Sequence, residues 1–209
     1  MPESLKTSEV TSKTDPTVAK QYDTKTDMNE QIMDLYKTID GVKVGLLTTL
    51  RKDIGPVSRS MTIAKRLGPD FLFIANAHSQ KFEDLESDRT VQVTFQDNKS
   101  QDWVSVTGVA TVASNADPRI KTLYNSGLKA WFGDLGDGIH NGGPEDPRMS
   151  LIEVKARYVV YWKSTVGTLG LMKEVGMASL TGQVAKTGVL RELGETDLEH
   201  ARQMKGEKL

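Results

Sequence analysis

The chain has 209 residues, 37% of them hydrophobic, and 27 Lys and Arg against 28 Asp and Glu leave a net charge of −1. That length builds one domain, or two at most, around a real core, and the charge balance gives no global field for nucleic acid or an anionic membrane. The absence of cysteine excludes a disulfide framework, a thiolate zinc site, an iron–sulfur cluster and a cysteine nucleophile. Met1-Pro2-Glu3-Ser4 lacks the basic and apolar regions of a secretory signal, and no stretch has the length of a membrane span. The expectation is a cytoplasmic protein with no nucleic-acid and no membrane partner.

Residues 1 to about 26 are Ser, Thr, Lys, Asp and Glu with few large apolar side chains, and are expected to form a disordered tail. Asp27 can cap a helix, with Glu30 three residues on, and Met28, Ile32, Leu35 and Ile39 recur at helical spacing until Asp40-Gly41. Short β-branched runs then alternate with turn residues. They predict strands over Val42–Leu50, Val57–Ala64, Phe71–Asn76, Thr90–Gln96, Trp103–Val112 and Leu151–Trp162. Phe71–Asn76 is apolar enough for the sheet centre. A short helix is expected over Ser79–Ser87, and one helix opened by Asp117-Pro118 carries Ile120, Leu123, Tyr124 and Leu128. About six strands with few helices, not in β-α-β-α order, predict a mostly β fold with flanking helices: a closed or half-closed barrel of mainly antiparallel strands. Residues 166–209 form a C-terminal extension, with a modest apolar face at Leu169, Met172 and Val175 and a short charged helix at Asp197–Met204.

Arg59 is the first residue that asks for chemistry. Alternation along its strand puts Val57, Arg59, Met61 and Ile63 on one face. A guanidinium stays protonated, and burying it unpaired costs several kcal/mol. Its partner is either a carboxylate of the chain itself, or solvent at the strand end, or a bound anion. Downstream, Asn76-Ala77-His78-Ser79-Gln80-Lys81 leads from a buried strand into a helix start. There Ser79 offers a hydroxyl, and Lys81 sits in a first turn whose dipole disfavours it. Either a dianion lies between Lys81 and Arg59, or Ser79 is an N-cap and Lys81 a solvated side chain.

Trp103, Trp131 and Trp162 fall at a strand start, a helix end and a strand end. These rim positions suit either a planar, phosphorylated ligand or the closure of a barrel or dimer interface. The glycine-rich run Gly133–Gly143 follows a helix and is no dinucleotide fingerprint. His78, His140 and His200 are too far apart for a metal-ligand pattern.

Val57-Ser-Arg-Ser-Met-Thr62, the strand ending in Ile74-Ala75-Asn76, His78-Ser-Gln-Lys81 and Asp88-Arg89-Thr90-Val91 resemble the FMN-binding split barrel of the pyridoxamine 5′-phosphate oxidase-like superfamily. Val104-Ser-Val-Thr-Gly108, Lys129-Ala-Trp-Phe132, Gly142-Gly-Pro-Glu-Asp-Pro147 and Tyr161-Trp162 resemble its general stress protein branch. Gly188-Val-Leu-Arg-Glu-Leu193 is similar to fungal blue-light-inducible members of that branch. The resemblance implies a homodimer with FMN at the subunit interface. By it, Arg59, Lys81 and Ser79 hold the phosphate; Ser60, Met61, Ile74, Ala75 and Asn76 edge the ring; and Trp103 touches flavin or ribityl. Trp162, Trp131 and Phe132 would approach from the second subunit.

The oxidases of that superfamily carry a lysine where this chain has Ala64, and an arginine–histidine–arginine pattern after the position of Trp162, where this chain has Lys163-Ser-Thr-Val-Gly167. Oxidation of pyridoxamine phosphate is therefore not expected. What remains is an FMN-dependent, redox-active stress protein with an unknown small-molecule substrate. The alternatives are a non-catalytic flavin reservoir or light- or stress-linked interaction protein, and the same barrel carrying haem or a deazaflavin.

Overall fold

The computed structural model describes residues 21–23, 25–181 and 184–204. Of the tail expected over residues 1 to about 26, residues 1–20 and 24 lie outside them. Helix α1 (Met28–Val42) starts where the sequence places it: Asp27 is the N-cap and its side chain accepts from Asn29 N at 2.9 Å. Ile32, Leu35 and Ile39 form its buried stripe. The helix ends on Lys43 in a left-handed conformation (φ 62°), with Lys43 N bonded to Ile39 O.

Among the described residues eight strands follow rather than six: β1 (Val44–Arg51), β2 (Gly55–Thr62), β3 (Lys65–Leu67), β4 (Asp70–Asn76), β5 (Thr90–Gln96), β6 (Trp103–Ala113), β7 (Met149–Ser164) and β8 (Gly188–Leu193). All strand pairs are antiparallel, in the order β2-β1-β5-β6-β7-β4-β3, with β8 joined to β7. The sheet does not close, and β2 and β3 are its two ends. The two strands beyond expectation have a physical reason. β3 is three residues made by the turn at Gly68-Pro69, too short for a period to register. β8 has its arginine facing inward, which masks the alternation of Gly188–Leu193.

β4 is buried from Phe71 to Ala75, but it lies next to the sheet end. Its apolar run reflects cover on both faces. Phe71, Phe73 and Ala75 join the main core with α1, and Leu72 and Ile74 meet Ile120, Phe132, Met149 and Leu151. The helix expected after Asp117-Pro118 breaks in two, α3 (Arg119–Leu123) and α4 (Ser126–Phe132). Tyr124 and Asn125 are extended between them, and the Asn125 side chain caps α4 by accepting from Gly127 N at 3.0 Å.

β7 carries the long connection. Its first half pairs with β4, its last with β8, and both halves with β6 across a register shift at Thr107/Gly108. Gly108 is required there: a Cβ would stand 2.6 Å from Lys155 O.

The C-terminal extension is built into this body. After α5 (Thr168–Thr181), β8 feeds α6 (Glu195–Gln203), whose Leu198 and Ala201 lie in the main core. Buried Arg191 of β8 bonds Asp23 (2.7 Å), Asp34 (2.7 Å) and the Tyr161 hydroxyl (3.1 Å), and Tyr22 bridges Leu190. Within the segment read as tail, Tyr22 and Asp23 are thus fixed to the fold. Burial opposes ionisation of Asp23, but bonds from Thr26, Lys25 N and Arg191 outweigh it and hold the carboxyl well below its usual range. Arg191→Met leaves two carboxylates facing a buried gap and is expected to lower the unfolding free energy by about 3 kcal/mol in urea titrations at neutral pH. A depressed carboxylate contributes fully above its ordinary value and loses that contribution as pH falls. The difference between wild type and Arg191→Met should therefore narrow below about pH 4.

Candidate functional site

Where β1, β2 and α2 (Lys81–Ser87) meet, two guanidinium groups share one carboxylate. Asp84, on the buried face of α2, accepts from Thr49 Oγ1 (2.6 Å), from Arg51 Nε and Nη2 (3.1 and 3.4 Å) and from Arg59 Nη2 (3.2 Å). Arg59 Nη1 bonds Thr49 Oγ1 (2.7 Å) and Leu47 O (3.4 Å). The intramolecular partner of Arg59 is therefore real. It is shared with a second guanidinium, so one positive charge remains. Among the described residues the Arg59 Nε hydrogen and one Nη2 hydrogen have no acceptor. Burial of Asp84 raises its pKa, but the bonds from Arg51, Thr49 and Arg59 prevail and keep it ionised.

Lys81 adds a further charge. Its Nζ donates to Ser79 Oγ at 2.6 Å, and it has no ion pair among the described residues. Half-buried, it is pushed below the ordinary lysine value first by desolvation and second by the Arg59 charge. Ser79 is not the helix cap. Its hydroxyl donates to Asn76 O at 2.6 Å, while Gln80 occupies the N-cap without a side-chain bond.

A cleft of about 400 Å³ opens beside Lys81. One side is the end strand β2 and its continuation, with Ser60, Met61, Thr62, Ile63 and Ala64; the floor is Ile74, Ala75 and Asn76; the far wall is Asn125, Gly127, Leu128, Trp131 and Phe132 of α4 and its cap. Lys81 is the one charged side chain in that lining. Eight of the expected site residues thus share the cleft: Ser60, Met61, Ile74, Ala75, Asn76, Lys81, Trp131 and Phe132. Arg59 and Ser79 stand behind it, joined to Lys81 by field and hydrogen bond.

Trp131 and Phe132 were expected to come from a second subunit, but they stand on the chain's own cleft. Phe132 packs with Leu72, Ile74 and Met149 and anchors α4 there. The buried pair Arg148–Asp146 holds the end of α4, with Arg148 bonding Phe132 O and Gly133 O at 2.8 Å each. Neither Asn125 nor Leu128 was expected at the site, Leu128 having been read only as a helix residue; an Asn two residues before a Gly is the capping signal that would have placed the wall. Trp103 and Trp162 are cross-strand partners on β6 and β7 and are absent from this lining. Trp162 borders a second cleft with Asn98–Gln101, Ser164, Val166, Gly167 and Thr187. No cluster of three metal-ligating side chains and no helix long and apolar enough to cross a membrane occurs among the described residues.

Residues 30–186 match the family described as pyridoxamine 5′-phosphate oxidase like. The chain belongs to this family. Protein bli-3 of Neurospora crassa is 37% identical over 191 residues, covering 90% of this chain and 91% of that protein. Among solved structures, a putative general stress protein 26 from Jannaschia sp. CCS1 superposes with a TM-score of 0.60 at 16% identity, over 80% of this chain and 99% of its own. A pyridoxamine 5′-phosphate oxidase-related, FMN binding protein from Nostoc punctiforme (TM-score 0.50, 11% identity, 65% and 82%) has the same fold. So does a heme binding protein from Mycobacterium smegmatis (0.51, 13%, 85% and 62%). The open eight-stranded sheet with flanking helices is the family's split barrel.

Asp84→Asn would leave Arg51, Arg59 and Lys81 facing one another without a counter-charge. The expected result is a loss of about 3 kcal/mol in unfolding free energy and a further fall of the Lys81 pKa, read by side-chain NMR titration.

Proposed function

We propose that this protein binds flavin mononucleotide between the subunits of a homodimer and uses it to move electrons or hydride to a small molecule. The observation that carries the reading is Lys81, a half-buried ammonium with no carboxylate partner among the described residues, beside a guanidinium whose counter-ion is shared. A phosphate monoester dianion fits that excess of charge. Lys81 has two N–H groups to offer and Arg59 has its free hydrogens. The Ser79 hydroxyl proton is already given to Asn76 O, so Ser79 would aim Lys81 rather than donate to phosphate itself.

The ring half of the ligand would lie along Ser60–Ala64 and Ile74–Asn76. As β2 ends the sheet, half of its backbone donors and acceptors lack a strand partner and can meet the amide-like edge of an isoalloxazine. Leu128, Trp131 and Phe132 supply the apolar wall. Trp103 and Trp162, outside this cleft, would come from the second copy. Bound there, FMN supplies one- and two-electron chemistry, while the chain holds the phosphate, orients the ring and shields it from water. A cytoplasmic setting, where reduced nicotinamide is at hand, belongs to the same proposal.

Haem is the weaker occupant: no histidine, cysteine or tyrosine lines the cleft, and its one amine, Lys81, is needed as a cation for an anionic ligand. The reading of a flavin store without turnover draws on Ala64 and on Lys163–Gly167, where the oxidases' substrate groups are missing. Consumption of reduced nicotinamide by the flavin-loaded protein separates enzyme from store.

The site itself is tested by Lys81→Ala. Loss of a charged hydrogen bond of about 2 kcal/mol predicts roughly 30-fold weaker FMN binding, with riboflavin affinity unchanged. Equal losses for both ligands, or none, would place the phosphate elsewhere. The pH profile has a defined sign. Binding is complete while Lys81 is protonated and weakens as pH rises through its depressed value, at most about tenfold per pH unit, because the dianion then has to recruit a proton to the amine.

A further inference from the structure

Helix α5 is the least explained part of the fold. Of its 14 residues only Lys173 and Glu174 are charged, and Met172, Val175, Met177 and Leu180 are all exposed, Leu180 by 85%. These four project over more than half the helix circumference, so the pattern is not the single stripe of a helix lying on its own core, nor is there the basic face of one lying on a membrane. A second set of uncovered apolar side chains starts at the cleft: Trp131 is 84% exposed on its wall, and Leu135 and Ile139, outside the lining on the loop that continues α4, are exposed as well.

The geometry points to one solution for both: α5 of each subunit caps the cleft of its partner, seating Met177 and Leu180 on Trp131 and on the loop that follows it in the chain, which carries Leu135 and Ile139. This rests on the reading above in which Trp162 reaches the partner's cofactor. Five residues lie between Trp162 and Thr168 at the start of α5, a span of at most about 20 Å when extended, and α5 itself is about 21 Å long. Trp162, Val166 and Gly167 already share one cleft surface, so the chain enters α5 on the face that bears the tryptophan. A two-fold axis makes the arrangement self-complementary. Each subunit carries one helix and one seat for it, and a dimer buries both pairs with nothing left over to drive open assembly. The cap would close the apolar, ring-binding half of the cleft and leave the phosphate end to Lys81.

A chain without cysteine allows a direct test in the full-length protein. Subunits carrying Leu135→Cys are co-expressed with subunits carrying Leu180→Cys and treated with a short bis-maleimide. The expected product is a cross-linked dimer containing one of each, abundant in the mixture and scarce with either variant alone. Several outcomes would overturn the cap: an internal link within a chain bearing both substitutions, a link between two Leu180→Cys subunits only, or no link. Cross-linking needs no flavin. A dimer that binds FMN without the mixed product sinks the cap alone, whereas a protein that stays monomeric sinks the interface reading with it. As a second readout, Met177→Lys with Leu180→Lys should speed FMN release about tenfold and open the flavin to iodide quenching, with the dimer intact. Unchanged release would count against the cap.

Discussion

Asp84 of α2 accepts a hydrogen bond from buried Thr49 and pairs with two arginines, Thr49 and Arg51 lying on β1 and Arg59 on β2. That arrangement fixes the crossing of β1, β2 and α2. It leaves one guanidinium charge over, and places Lys81 one helical turn before Asp84, on the side that faces the cleft. A fully compensated cluster would be a structural staple and nothing more. An uncompensated one costs stability through desolvation and like-charge repulsion, which the lowered Lys81 pKa registers. Such a cost persists in a fold where a ligand relieves it. The relief is also the link between ligand and stability, since an anion that binds only the folded state shifts unfolding by mass action.

How much of this was legible from the chain depends on the period of each signal. The six longer strands carried alternation or apolar runs, and the structure bounds them within a few residues. Lys65–Leu67 is too short to carry a pattern, and Gly188–Leu193 points an arginine inward, so both were silent. Arg191 is apolar in position and ionic in chemistry. Its partners Asp23, Asp34 and Tyr161 are 168, 157 and 30 residues away, so nothing local could announce them. The break between α3 and α4 was local, written in Asn125 and Gly127, and was missed because the apolar spacing of Ile120, Leu123 and Leu128 runs through it.

The site followed the same logic. Arg59 was identifiable as a cation on an inward strand face, and three surroundings were left open: a carboxylate of the chain, solvent at the strand end, or a bound anion. The structure has the first, and the sharing of Asp84 with Arg51 leaves room for the third. No sequence rule pairs Arg51 with Asp84 across 33 residues. Lys81 and Ser79 are two residues apart, and their contact was readable in outline. The direction of the Ser79 proton was not, because it depends on where the Asn76 carbonyl turns at the end of β4. Trp131 and Phe132 moved from the expected partner to the chain's own cleft because Phe132 belongs to the core cluster beneath β4, a packing fact rather than a motif.

The two ends of the molecule meet in the network around Arg191, and this bears on the cleft at a distance. β8 pairs with the last part of β7, and Asp23 and Thr26 lie against Arg191 on its other side. The segment of β7 so fixed contains Trp162, and a Cβ on Gly188 would stand 2.5 Å from that indole. The glycine is what lets β8 lie flat under the tryptophan and holds the ring facing outward on the sheet. The N-terminal clasp, β8 and the tryptophan are thus one mechanical unit, built largely from a C-terminal extension beyond residue 186, where the family match ends. An extension so used has a purpose in the barrel itself. It stiffens the edge from which α5 departs, and a helix that is to reach a second subunit needs a rigid point of departure more than it needs contacts of its own.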